Sequence, residues 1–324
     1  MKILIVGLGS MGKRRVRSLK AINQNNLAGF DLRKERVLET SKIYKITPYH
    51  NFQEALKKFK PDALVISTSP KYHMKYALSS AKKNIPCFIE ASVCNLSKIK
   101  ELNKKFNKSL IAPSCTMLFN DGIEKISNLL KNKSIGDICF IKYHVGQYLP
   151  DWHPWEKKGH YVWEKNTNGC KELIPFELTW LSKFFGKPKF INSTNLKLSD
   201  LKINFNDTSN FTILFNKKIL ANITIEVLSK PISTRELIII GKKGKIIMSA
   251  DQGVIKYINS NMKKYKSFQI NKGKILKNYI NSELPYIKEM KSYMKFVKNP
   301  KKNSFPNNLS EDIKMLKLTN KIYK

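Results

Sequence analysis

Apolar and polar positions alternate in blocks through the first third of the chain. Ile3, Leu4, Ile5 and Val6 form a continuous apolar run, the pattern of a parallel strand covered on both faces. Similar short runs recur at 26–30, 63–67, 86–90 and 109–112, with a short strand or turn at 49–52. Between them, helices are expected at 35–41, 53–59 and 98–106, and a loop at 68–73 opens another that runs to 81. Strand and helix in turn predict an open parallel sheet with helices on both faces.

The second half reads differently. Residues 210–215, 218–227, 234–240 and 245–248 are β-rich and separated by turn residues such as Asn216 and Gly241. They predict an open, largely antiparallel sheet with one exposed face. Residues 285–297 and 309–323 read as closing helices.

Chemistry enters first at the end of the opening strand. Gly7-Leu8-Gly9-Ser10-Met11-Gly12 is G-x-G-x-x-G between a strand and a helix. The first glycine permits the tight turn, the second a close backbone approach to a diphosphate, and the third close helix–strand packing. The backbone and first-turn amides from Gly7 to Gly12 would then face the phosphates. Asp31 ends the next strand, about twenty residues on, where a carboxylate accepts from ribose hydroxyls. Arg33 and Arg36 offer an alternative as holders of a 2′-phosphate, so NAD and NADP both stay open. NAD is favoured because Asp31 would repel a phosphate dianion. The fold class that follows is α/β, with an N-terminal Rossmann dinucleotide-binding domain and a C-terminal α+β domain.

Composition changes little except in charge. The 324 residues suffice for two domains, and no run approaches the length of a membrane span. The basic residues after Gly12 are not followed by a small-residue cleavage site, so the start is read as a strand and the protein as cytoplasmic. Five scattered cysteines and five scattered histidines give neither C-x-x-C nor zinc-ligand spacing, so no metal is expected. The net charge of +36 is extreme, yet only six of the sixty basic residues are arginine and lysines lie along the whole chain. That is a composition bias rather than a nucleic-acid footprint. Its expected effect is attraction of anionic small molecules.

The sequence resembles the Gfo/Idh/MocA family of glucose–fructose oxidoreductase, inositol dehydrogenase and rhizopine-catabolism proteins. The likeness rests on the Gly7–Gly12 turn, Asp31, Glu90 and Thr68-Ser69-Pro70-Lys71-Tyr72-His73, similar to the family's T-P-P-x-x-H. It continues through a linking helix at 119–130, Ser134-Ile135-Gly136-Asp137-Ile138, and Gly241-Lys242-Lys243-Gly244-Lys245-Ile246. The resemblance implies a Rossmann domain over 1–118, a substrate and oligomerisation domain over 119–284, and closing helices over 285–324. It implies cofactor contacts from Thr68, Ser69, Pro70, His73 and Glu90, and a homo-dimer or homo-tetramer through the open sheet.

Several positions depart from the family pattern. Ala91 stands where the family's E-K-P lysine would be. Aligned on the family's D-x-x-x-H helix, Glu172 keeps the acid but Phe176 replaces the histidine, and Thr179 replaces the next aspartate. A positioned general acid or base is worth roughly 10²–10⁴-fold in rate, and neither alanine nor phenylalanine moves a proton. The substitute is sought in Gln147-Tyr148-Leu149-Pro150-Asp151-Trp152-His153-Pro154-Trp155, similar to a loop of a subgroup associated with surface-glycan and nonulosonic-acid gene clusters. Gln147, Tyr148, Trp152 and Trp155 offer flat apolar faces and hydroxyl partners for a sugar. His153 is the expected replacement acid–base group and Glu172 its orienter; Lys171, also a substrate candidate, and Tyr161 rank behind.

The expected function is therefore an NAD(P)-dependent oxidoreductase acting on a hydroxyl or keto group of a sugar or nucleotide sugar, with no nucleic-acid or membrane partner. Two alternatives stay open. One is a dinucleotide-binding sensor or assembly protein without dehydrogenase chemistry; the other is a lyase or epimerase that uses transient redox.

Overall fold

The opening apolar run is strand β1 (Ile3–Val6), buried along its whole length in the computed structural model, which describes residues 1–91, 94–152, 160–277 and 279–323. It leads into α1 (Ser10–Lys20), β2 (Leu27–Phe30), α2 (Lys34–Tyr44), β3 (Thr47–Tyr49), α3 (Phe52–Phe59), β4 (Ala63–Ile66), α4 (Pro70–Lys82), β5 (Cys87–Ile89), α5 (Leu96–Lys105) and β6 (Ile111–Pro113). The strands pair in parallel in the order β3-β2-β1-β4-β5-β6. The short strand or turn expected at 49–52 is a strand that ends at Tyr49, because Asn51 caps α3 by accepting the Glu54 amide at 3.0 Å and Phe52 is already helical.

After a 3-10 turn at Thr116–Phe119 come α6 (Asp121–Lys131), β7 (Ile138–Gly146), α7 (Gly169–Phe185) and the strands β8 (Pro188–Leu196), β9 (Thr208–Phe215), β10 (Ile219–Glu226), β11 (Thr234–Gly241), β12 (Gly244–Ser249), β13 (Val254–Asn259) and β14 (Lys266–Gln269). The chain ends with α8 (Leu284–Lys298) and α9 (Leu309–Ile322). The second sheet runs β14-β13-β12-β11-β7-β10-β9-β8, with β7 and β10 parallel and the other pairs antiparallel.

Two units result: Met1–Thr116 with Glu283–Leu316, and Met117–Ser282 with Lys317–Lys324. The C-terminal segment 285–324 is thus shared between them and is not a unit of its own.

In the first unit, Leu4, Val6, Ala28, Phe30, Leu64, Ile66 and Ile89 join one core with Phe52, Leu56 and Phe59 of α3, Met74 and Ala77 of α4, and Leu309, Ile313 and Leu316 of α9. The opposite face carries α1 and α8, where Phe88 meets Tyr293 at a ring separation of 5.6 Å. Burial on both faces is why these strands read as unbroken apolar runs.

In the second unit, α7 lays Cys170, Leu173, Ile174, Leu178, Leu181 and Phe185 into the core. One charged side chain accompanies them. Glu177 accepts from Tyr143 (2.6 Å) and Trp180 (2.8 Å) and pairs with Arg235 of β11 at 2.7 Å. Burial alone would drain the Arg235 charge, but Glu177 outweighs it and holds the guanidinium pKa above its ordinary value. Burial also raises the Tyr143 phenol well above its usual range. The other sheet face shows Lys142, Leu220, Asn222, Asn210 and Ile240 to solvent, with Asn222–Thr212 and Asn210–Thr224 hydrogen bonds at 2.9 and 2.8 Å.

Candidate functional site

At the carboxyl end of β1 the chain turns through Gly7, whose φ of +94° lies in the left-handed region. A Cβ there would sit 2.7 Å from the Ser67 carbonyl oxygen, and one on Gly12 would sit 1.9 Å from the Gly7 carbonyl oxygen. Both glycines are required by the packing of loop against strand and helix. Gly9 differs. Its Cβ position meets only the Arg36 guanidinium, at 3.3 Å, among the described residues. Backbone at Gly9 is therefore open to a ligand beside the first turn of α1 and next to a cation, the arrangement a diphosphate needs.

Asp31 is fastened to this loop. Its Oδ2 accepts the Leu8 amide at 2.7 Å, its Oδ1 accepts the Arg33 amide at 2.9 Å, and Arg36 lies 3.9 Å away. Leu8 thereby acts through Asp31, with its own amide engaged there. Arg36 is half-buried, and burial lowers its pKa despite the Asp31 charge. Ser10 and Met11 are half-buried in the first turn of α1.

The loop after β4 brings Thr68, Ser69 and Pro70 to the same sheet edge, with Ser69 as N-cap and Pro70 in the first turn of α4. His73 lies beneath them. Its Nε2–H donates to the Thr68 carbonyl at 2.8 Å, and its Nδ1 faces the Cys94 sulfur at 3.7 Å. Burial pushes its pKa down to about 4, so at neutral pH it supports the loop as an uncharged ring and offers phosphates no positive charge.

Glu90, just past β5, has both carboxylate oxygens in the fork of Arg15: Nε donates to Oε1, and Nη2 donates to Oε2 at 2.8 Å. Arg15 is fully buried and also pairs with Glu289 of α8 at 2.8 Å. Sequence reasoning did not single out Arg15 or Glu289. A signal was present, since three of the chain's six arginines (Arg14, Arg15 and Arg17) follow the glycine loop directly.

In the second unit, Gln147 is buried just past β7 and its backbone N–H donates to the Glu226 carbonyl at 3.2 Å. The ring of Tyr148 lies 5.2 Å below the Lys230 ammonium. Trp152 lays its ring 3.4 Å from the Cβ position of Gly169, at the start of α7. His153 and Trp155 lie outside the described residues. Glu172, in the first turn of α7, accepts from the Tyr161 hydroxyl at 2.9 Å. Lys171 is half-buried, which lowers its ammonium pKa. Phe176 is half-buried, and the Thr179 hydroxyl is engaged with the Pro175 carbonyl at 2.7 Å. The structure thus gathers the glycine loop, Asp31, Thr68, Ser69 and Glu90 at one sheet edge, and pairs Glu172 of α7 with Tyr161.

The Gfo/Idh/MocA family model, described as an oxidoreductase family with an NAD-binding Rossmann fold, matches residues 1–109. The first unit is a Rossmann domain. Among solved structures, an oxidoreductase from Agrobacterium radiobacter in complex with NAD+, L-tartaric acid and magnesium is 13% identical, with a TM-score of 0.87 over 99% of this chain and 94% of that one. A levoglucosan dehydrogenase in complex with NADH is 11% identical, with a TM-score of 0.84 over 99% and 95%. An inositol dehydrogenase homolog from Azotobacter vinelandii, complexed with NAD+, is 10% identical, with a TM-score of 0.80 over 99% and 94%. At these identities the likeness establishes the Rossmann domain followed by a mostly antiparallel sheet. No curated protein matches the sequence.

Proposed function

We propose that this protein is an NAD(P)-dependent oxidoreductase acting on a hydroxyl or keto group of a sugar or nucleotide sugar, in the cytoplasm and in surface-polysaccharide biosynthesis. The observation that carries the reading is the glycine cradle: Gly7 and Gly12 are closed by packing, while Gly9 stays open beside Arg36 and the start of α1. Asp31, fixed to the same loop, favours NAD over NADP, with ribose hydroxyls as its ligands. When bound, the nicotinamide supplies the hydride acceptor or donor.

The chain's own residues bind and orient. The α1 amides and Arg36 hold the diphosphate, Asp31 takes the adenosine ribose, and Thr68, Ser69 and Glu90 border the other half. Glu172, with Tyr161 on it, is the described carboxylate on α7 suited to orient a sugar hydroxyl or hold its proton. His153, Gln147, Tyr148, Trp152, Trp155 and Lys171 complete the proposed substrate side. The exposed face of the second sheet, with Leu220 and Ile240 among its side chains, suits a homo-dimer or homo-tetramer contact.

The test has two stages. Titration with NADH and NADPH, followed by fluorescence, reads the cofactor; absorbance at about 340 nm with NAD+ and UDP-, GDP- or CMP-sugars reads turnover. Absence of binding by either nucleotide in either redox state removes the proposal. Tight NAD binding with no net turnover instead favours the second reading, a diverged binding protein or an enzyme of transient redox, which the loss of proton-transfer groups at Ala91 and Phe176 supports.

A further inference from the structure

We propose that Arg15 is a positioning residue of the cofactor site, which sets the Glu90 carboxylate for the ribose on the nicotinamide side. The inference rests on the dinucleotide reading above and deepens it.

The sheet order places β2 and Asp31 on one side of the glycine loop and β4 and β5 on the other. A dinucleotide with its diphosphate on α1 and one ribose at Asp31 runs its remaining half over the carboxyl ends of β4 and β5. Glu90 is the first residue beyond β5, and the Ser67 hydroxyl at the end of β4 donates to it at 3.3 Å. Its side chain keeps 9% of its surface, whereas Arg15 and Glu289 behind it keep none. The Glu90 carboxylate is thus the outward end of a buried three-charge row.

That row fixes orientation as well as charge. The Arg15 guanidinium forks both Glu90 oxygens, and two parallel N–H bonds fix the plane of a carboxylate as a single bond cannot. The guanidinium lies 4.5 Å from the Phe88 ring centroid and 5.1 Å from that of Tyr286. Behind it, Glu289 accepts from the Ser114 hydroxyl (2.9 Å), the Cys115 amide (2.6 Å) and the Thr116 hydroxyl (2.7 Å). Arg15 therefore has little room to turn.

Stability alone is a poor reason for such a row. Buried ion pairs are often replaceable by apolar side chains of similar volume without loss, because desolvation offsets the Coulomb gain. Arg15 cannot reach a substrate itself, since it has no exposed surface. It acts through Glu90.

The experiment compares Arg15→Lys and Glu90→Gln with the wild-type chain, measuring Kd for NADH and for ADP by calorimetry. ADP engages only the glycine loop and Asp31, so it reports on the fold of the site without its nicotinamide half. In both variants the NADH affinity is expected to fall about tenfold, the loss of one hydrogen bond to a charged group, while ADP binds as before. NADH affinity unchanged in either Arg15→Lys or Glu90→Gln overturns the proposal, as does a parallel loss of ADP and NADH, which marks a purely structural role. Should Arg15→Lys fail to fold, Arg15→Gln, which keeps a single donor for Glu90, takes its place in the same comparison. A wild-type chain that binds neither nucleotide removes the dinucleotide reading itself, and this inference with it.

Discussion

Gly9 and Gly12 are three residues apart in one motif, yet alanine at each should fail in a different way. At Gly12 the new methyl would lie 1.9 Å from the Gly7 carbonyl oxygen, against ordinary contact from 3.4 Å, so α1 must move by about 1.5 Å or the turn must open. Both partners are backbone, and no side chain can swing aside. The cost of such overpacking is about 3 kcal/mol, or more if the helix cannot shift. In a unit of this size that lowers the melting temperature by roughly 6–12 °C. At Gly9 the methyl meets, among the described residues, only the end of the Arg36 side chain, and φ of −68° suits any L-residue. Gly9→Ala should therefore melt within about 2 °C of wild type, a change of roughly 0.5 kcal/mol. It should instead push a diphosphate off the amides. Losing two charge-assisted bonds costs about 3 kcal/mol, a fall of roughly 100-fold in NADH affinity. Thermal melts by circular dichroism and NADH titrations on the two variants read both quantities. The reasoning fails if Gly12→Ala melts like wild type, or if Gly9→Ala folds and keeps full NADH affinity.

Three further outcomes are expected. The His73 pKa is lowered on folding from about 6.5 to about 4, so the unfolded chain binds the extra proton first as pH falls; the stability this ring contributes is complete above about pH 6.5 and lost toward pH 4, up to roughly 3 kcal/mol. His73→Gln, which keeps a donor for Thr68, should flatten that part of a stability–pH curve measured by urea denaturation; an unchanged slope counts against the assignment. Arg235→Met strands the Glu177 charge among buried side chains and should cost about 3–5 kcal/mol, with Glu177→Gln/Arg235→Met costing less than the single change. Asp31→Ala removes the acceptor of the Leu8 and Arg33 amides; it should lower NADH affinity and cost about 1–3 kcal/mol, seen as a lower urea midpoint.

The sequence was most legible where one physical demand controls several neighbouring residues. β1 and β4 read as unbroken apolar runs because both faces are covered, and the glycine turn reads clearly because backbone atoms fill the space a side chain would take. Edge strands were harder. β8 exposes Lys189, Ile191, Asn192, Thr194 and Leu196 and only half-buries the rest, so no apolar period marks it. At the other edge β14 exposes Lys266 and is only four residues long. The Arg15 row was hidden for a different reason. Its members, Arg15, Glu90 and Glu289, lie far apart in sequence, and charges are read by default as surface. The loop expected at 68–73 ends at Ser69, so His73 belongs to α4, and its environment, set by burial and by Cys94, depended on three-dimensional packing.

The nucleotide-binding half of this protein is not an uninterrupted piece of chain. Residues Glu283–Leu316 return to it, and Arg14, Arg15 and Arg17 clasp that returning strip through Glu283 and Glu289. Anyone cutting the gene after codon 116 would obtain a fragment with a raw flank, Phe88 laid open and Arg15 deprived of one carboxylate. A self-sufficient miniature would need the late strip spliced back through a short artificial bridge. Insertions and gene fusions at the two junctions should be judged by whether they leave that clasp intact.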